Sequence, residues 1–181
     1  NSRISLSNND SGGTGGRDST SSNTLLGYHA GNNIASGSVV NTFIGHASGS
    51  GSLDSAQNNV GVGAETLQGL TTGDSNTVMG AYSGFTLTTG QDNVIIGTDA
   101  GFYATTQNDL VLIGRSAGDA INDDGANGTV AVGEHSLSAL TSGGKNVAVG
   151  YESAKGLTTG SFNTALGNQA LGLGSNTAST N

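Results

Sequence analysis

The chain has 181 residues, of which 32 are Gly and none is Pro, Cys or Trp, and only 10% are charged, against about 25% in an ordinary globular domain. This composition excludes collagen, which needs Gly at every third position and abundant Pro. It also excludes disulfide and thiolate chemistry and a membrane-inserted helix, since no run of about 18 apolar residues occurs. A net charge of −8 with five Lys and Arg argues against a nucleic-acid partner.

Residues 1–22 are rich in Ser, Gly and Asn and carry no repeat, so they are expected to form an extended lead-in. The chain opens on Asn1 rather than Met, which suggests a processed chain or a segment of a longer one. From residue 23 one pattern recurs: Asn23-Thr-Leu-Leu-Gly27, Asn41-Thr-Phe-Ile-Gly45, Asn59-Val-Gly-Val-Gly63, Asn76-Thr-Val-Met-Gly80 and Asn93-Val-Ile-Ile-Gly97. It continues as Leu110-Val-Leu-Ile-Gly114, Thr129-Val-Ala-Val-Gly133, Asn146-Val-Ala-Val-Gly150 and Asn163-Thr-Ala-Leu-Gly167. The closing glycines lie 18, 18, 17, 17, 17, 19, 17 and 17 residues apart, giving nine units over residues 23–174. The tail, 175–181, begins another unit without completing it and is expected to fray or to mark a truncated end.

Gly and β-branched residues disfavour helix, and no unit shows a 3.6-residue apolar period. Short strands punctuated by Gly and Asn fit instead, and a repeat of this length is the signature of a solenoid. The expected fold is therefore all-β, a parallel β-solenoid of nine coils of 17–19 residues, with equivalent positions about 4.8 Å apart and a rod roughly 40–45 Å long. The residue before each closing Gly is apolar in every unit: Leu26, Ile44, Val62, Met79, Ile96, Ile113, Val132, Val149 and Leu166. With the β-branched residue two places earlier it is expected to form the inward stripe, the core. A small residue follows three places after the Gly, and in several units an apolar one seven places after, as in Ile34, Leu70, Leu87, Ile121, Leu140 and Leu157. A core this thin is expected to need ladder bonds or a second apolar face buried between chains, which points to a parallel homotrimer.

Asn23, Asn41, Asn59, Asn76, Asn93, Asn146 and Asn163 share one position, and their amides are expected to stack as a structural ladder. Leu110 and Thr129 break it, and the stretch 121–127 between them is expected to bulge as a loop. Within that loop Asp123, Asp124 and Asn127 offer oxygen ligands suited to Ca²⁺, the one cofactor the residues suggest, although no EF-hand or nonapeptide spacing is met. Gly114-Arg-Ser116-Ala-Gly118 matches a nucleophile elbow but is also simply the repeat, so no catalytic residue is expected. His29 and His135 share a repeat position six coils apart, too far to cooperate within one chain, whereas symmetry mates in a trimer would meet. Tyr82, Phe85, Phe102 and Tyr103 cluster near the turns and are candidate receptor or glycan contacts.

Units such as Asn146-Val-Ala-Val-Gly-Tyr-Glu-Ser153 and Asn163-Thr-Ala-Leu-Gly-Asn-Gln-Ala170 resemble the head repeats of trimeric autotransporter adhesins and the Asn-Thr-x-x-Gly repeats of bacteriophage tail fibres. The lead-in Arg3-Ile-Ser-Leu-Ser-Asn-Asn-Asp10 looks particularly like phage fibre sequence. The resemblance implies a homotrimeric left-handed β-roll in a virion tail, non-enzymatic, joined to other fibre or tail components and supporting or forming contact with a host receptor or glycan. The alternatives are a trimeric adhesin head at a cell surface, an ice-binding solenoid suggested by Thr71-Thr72, Thr88-Thr89, Thr105-Thr106 and Thr158-Thr159, and a polysaccharide-degrading spike. No recurring carboxylate pair supports the last.

Overall fold

A computed structural model describes residues 22–171, so the expected lead-in, except for Ser22, and the stretch 175–181 lie outside the described residues. Nine three-residue strands make one parallel sheet: β1 (Thr24–Leu26), β3 (Thr42–Ile44), β5 (Val60–Val62), β6 (Thr77–Met79), β7 (Val94–Ile96), β8 (Val111–Ile113), β9 (Val130–Val132), β10 (Val147–Val149) and β11 (Thr164–Leu166). Each pairs with the next in sequence, so the chain advances by one strand per circuit through about eight turns of a parallel β-solenoid. Two short strands, β2 (Asn33–Ile34) and β4 (Ser52–Leu53), pair on the opposite wall of the first two coils. Elsewhere that wall is built of turns, whose amides still donate along the axis, as from Thr71 N–H to the Thr88 carbonyl at 2.9 Å. No α-helix occurs among the described residues, only a 3₁₀ turn at Asp124–Ala126.

The coils are numbered here 1 to 9 by their strands in the large sheet. Each strand ends at a glycine with φ between +120° and +139°. A Cβ on Gly27, Gly45, Gly97 or Gly133 would lie 2.3–2.5 Å from the carbonyl oxygen of the glycine stacked next to it. No side chain fits there, which explains why this position never varies. The second and fourth residues beyond that Gly both take left-handed φ near +55°, as in Tyr82 and Gly84 or Glu65 and Leu67. Two such residues in quick succession bend the chain sharply back across the rod.

The strand parity expected from the sequence is reversed. The rank Leu26, Ile44, Val62, Met79, Ile96, Ile113, Val132, Val149 and Leu166 faces outward, with Leu26 45%, Met79 41% and Leu166 77% exposed. The middle residue of each strand points inside instead: Phe43, Gly61, Val78, Ile95, Leu112, Ala131, Ala148 and Ala165 are all buried. A one-residue change of parity exchanges the two faces of a strand. Strands that are apolar on both faces, such as Val111-Leu112-Ile113, give alternation nothing to act on.

The interior explains the choice. Where the strand centre is large, the fourth residue beyond the closing Gly is Gly: Leu25 with Gly31, Phe43 with Gly49, Val78 with Gly84, Ile95 with Gly101, Leu112 with Gly118. Where the centre is small, that residue is Leu: Gly61 with Leu67, Ala131 with Leu137, Ala165 with Leu171. A Cβ on Gly49 would sit 2.6 Å from the Phe43 ring, and one on Gly31 would sit 2.6 Å from Leu25 Cδ2. Leu67 and Leu137 are fully buried. Coil 8, with Ala148 and Ala154, is the exception, and it lies between the coils that carry Leu137 and Leu171. The remaining volume is filled by Ile34, Leu70, Leu87, Ile121, Leu140 and Leu157, all buried.

Polar groups inside are matched along the axis. In the asparagine row, where Asn follows Asn in the next coil, the Oδ1 of the first accepts the backbone N–H and the Nδ2–H of the second: Asn41 on Asn23 at 2.8 and 3.1 Å, Asn93 on Asn76 at 3.1 and 2.9 Å, Asn163 on Asn146 at 2.9 and 3.0 Å. Each Nδ2 also donates to a turn carbonyl, as from Asn76 to Gly90 at 2.9 Å. A buried amide bonded on all sides holds register, because a slipped coil would strand several polar groups. The small residues three places beyond the Gly add a second row: the hydroxyls of Ser83, Ser136 and Ser153 donate to strand-centre carbonyls one coil on, at 3.1–3.2 Å.

Candidate functional site

Three surfaces of the rod carry distinct chemistry. The first is the outer face of the nine-stranded sheet. It presents two side chains per strand, a β-branched one (Thr24, Thr42, Val60, Thr77, Val94, Val111, Val130, Val147, Thr164) and the apolar rank from Leu26 to Leu166. In-register pairing stacks these into two straight columns without a single charged residue. They stand about 7 Å apart across the strand and about 4.8 Å apart along the axis. The charged residues lie on the turns.

The second surface is aromatic. Phe85 and Phe102 occupy the same position in coils 4 and 5, and their rings stack at 4.9 Å with an interplanar angle of 8°. Tyr82 lies 6.0 Å from Phe85 and Tyr103 4.8 Å from Phe102 in an edge arrangement, so all four predicted contact residues form one patch. Tyr103 is 56% exposed and Tyr82 is exposed, while the two Phe rings are half-buried beneath them. A smaller group at the first coils joins Tyr28 to His46, stacked at 5.7 Å, and to His29, edge-on at 4.0 Å.

Near the aromatic patch, in coil 6, Asp119 takes the position that Phe102 holds one coil earlier. Burial pushes its carboxyl above the ordinary range, nearby His135 pulls it partly back, and its Oδ1 is buried without a hydrogen-bond partner. The sequence reading missed Asp119, although its place after two stacked Phe residues is visible in the repeat. His135 lies 3.9 Å from Glu134, which also pairs with Arg115. Lys155 and Gln169 hydrogen-bond Glu152 at 2.7 and 2.9 Å and hold its carboxyl below the usual range.

The third surface is the bulge of coil 6. Asp123 accepts the Gly125 N–H at 2.8 Å and caps the 3₁₀ turn, Asp124 takes the Thr106 hydroxyl, and Asn127 Oδ1 accepts the Asn108 N–H at 2.9 Å. The three candidate calcium ligands thus serve three different neighbours, and no cluster of three or more metal-binding side chains occurs among the described residues. Asn127 also extends a second ladder that sequence reasoning missed, in which Asn108 Oδ1 accepts from Gln91 N–H at 2.7 Å. Ser116 of the elbow-like motif is a buried left-handed turn residue equivalent to Tyr82 and Asp99. The first Thr of two pairs bonds the next coil, Thr71 Oγ1 donating to the Thr88 carbonyl at 3.0 Å and Thr88 Oγ1 to the Thr105 carbonyl at 2.9 Å, while Thr72, Thr89 and Thr159 are exposed and Thr106 is half-buried.

Among known protein families, curated proteins and solved structures, none matches this chain significantly.

Proposed function

We propose that this chain is a non-enzymatic segment of a homotrimeric fibre, with left-handed coils, of the kind found in bacteriophage tail fibres, where it extends or forms the receptor-binding part. The observation that carries this reading is the outer face of the sheet. Two uncharged columns running about 40 Å, one of them mixing Thr with Val, make a largely apolar strip of roughly 400–500 Å², the size of the largest patches on a monomer, which are often functional. Identical strips can interdigitate around a common axis, and cyclic closure leaves none of them wet. The interior is thin, so burial of this face adds a large fraction of the apolar area available to each coil. The aromatic patch of Tyr82, Phe85, Phe102 and Tyr103 lies on the turns, where it would face a receptor rather than a sister chain.

The test is a charge placed in the middle of the strip. Ile96→Lys and Ile113→Lys should release monomers that retain the β-sheet circular dichroism of the parent, because these side chains do not fill the interior. An assembly indifferent to both substitutions would overturn the proposal. Exposed Thr72 and Thr89 in adjacent coils, with Thr159 at the same position further along the rod, favour one competing reading, an ice-binding rod. That reading requires thermal hysteresis from the unassembled chain, and its absence removes it.

A further inference from the structure

The coil-6 bulge overhangs a cleft of about 290 Å³ lined by Asp124, Gly125, Asn127, Lys145, Ser161 and Phe162, close to the lower end of the range for small-molecule sites, roughly 300 Å³ upward. In solenoids, insertions into the repeat map to loops on one face and often mark a binding face. Here the insertion is a single event: the 19-residue spacing occurs once among repeats of 17 and 18.

Phe162 is the unusual residue. Its position, one before the ladder Asn or its equivalent, has a left-handed backbone in every coil and is filled elsewhere by Ser22, Val40, Asn58, Ser75, Asp92, Asp109, Gly128 and Lys145. Phe162 is the aromatic among them, and its ring is 57% exposed at the edge of the cleft. A flat apolar ring held half wet beside a polar cleft is placed to stack on a ligand.

The polar groups around it define the ligand. Lys145 Nζ lies 5.5 Å from the Phe162 ring centroid. Among the described cations, Arg115 and Lys155 pair with carboxylates, while Lys145 has none within 4 Å. The cleft is also lined by Asp124, by Asn127, whose amide nitrogen remains available to donate, and by Ser161. An anionic ligand would meet Asp124 and a cationic one Lys145. A neutral ligand with vicinal hydroxyls, each both donor and acceptor, satisfies both charges at once, and the apolar face of a sugar ring suits a flat exposed aromatic. We propose that this cleft is a binding site for a neutral pyranose unit, with Phe162 stacking on the sugar ring and Asp124 and Lys145 bonding its hydroxyls.

The experiment is ligand-observed NMR on the full chain with methyl glucosides, galactosides and mannosides in both anomeric forms, with methyl glucuronide as the charged control. Saturation transfer from the protein to at least one neutral glycoside, weakened at least tenfold by Phe162→Ala and by Asp124→Ala and unaffected by Tyr103→Ala, is the expected result. Phe162→Leu keeps the bulk without the flat ring and should behave like Phe162→Ala, with unchanged thermal unfolding showing that both are folded. No transfer to any neutral glycoside, binding that survives Phe162→Ala, or preference for the glucuronide would each overturn the assignment. The mass of the assembly, read on the same sample, is independent of all three results, so failure here is distinguishable from failure of the fibre reading.

Discussion

Coils 2 and 3 solve the same packing problem in opposite ways. In coil 2 the strand contributes Phe43 and the turn contributes Gly49; in coil 3 the strand contributes Gly61 and the turn contributes Leu67. Phe43 reaches into both levels, since a Cβ on Gly61 would lie 2.9 Å from its ring. The cross-section of the rod is set by the backbone ladder, so each level holds a fixed volume, and either wall can supply it. The difference teaches that the unit of selection in this core is a pair of positions six residues apart rather than a single conserved apolar column.

The largest effects belong to the position that both kinds of coil share. Gly97→Ala puts a Cβ 2.5 Å from the Gly114 carbonyl at φ +133°, and Gly63→Ala meets the same obstruction from Gly80. Each should cost more than about 3 kcal/mol, strain and clash together, and equally in coils 3 and 5; urea unfolding would measure this. A much milder effect in one of them would break the idea of a common frame. Next come the paired positions. Leu137→Ala should lose about 2–5 kcal/mol as a cavity opens, and adding Ala131→Leu should recover part of it. Gly49→Leu should cost about 1–3 kcal/mol by overpacking, while Phe43→Ala with Gly49→Leu should be more stable than Gly49→Leu alone, because it recreates the coil-3 arrangement. Strict additivity of the two would contradict shared volume.

Smaller effects probe the ladders. Thr129 interrupts the asparagine row, and its Oγ1 is buried without a partner. Thr129→Asn should restore an acceptor for the Asn146 N–H and raise stability by up to about 1 kcal/mol. The smallest effect is that of Asp119. Its folded-state carboxyl titrates above the unfolded one, so the native state holds its proton to higher pH and loses relative stability as pH rises through that folded value. Asp119→Asn should therefore unfold at a slightly higher temperature than the parent at neutral pH, with the difference shrinking below the ordinary carboxylate range. A gain independent of pH would show that desolvation of the charge is not its source.

Much of this was legible before any coordinates. The repeat spacing gives the register of every strand pair, such as Val94 with Val111, and it aligns Phe85 with Phe102. The buried apolar residue seven places beyond the Gly was equally visible. Parity was not, because three-residue strands such as Val94-Ile95-Ile96 are apolar at every position. The discriminating signal lay in variability: the strand centre ranges from Gly to Phe while its neighbours stay β-branched or medium-sized, and only an enclosed position with a compensating partner can vary so widely. Lys145 and Phe162, 17 residues apart, share a position just as the two stacked Phe residues do. They were overlooked because nothing in the sequence shows that this position demands positive φ or that the bulge folds over it.

The outward columns connect this packing to the function proposed. Once the strand centres fill the interior, the β-branched and apolar ranks on either side of them are left on the surface, where sister chains are the natural cover. The mass of the intact chain in solution, by light scattering, tests this most directly. The account predicts three times 17.7 kDa; a particle of 17.7 kDa that keeps its fold would contradict it.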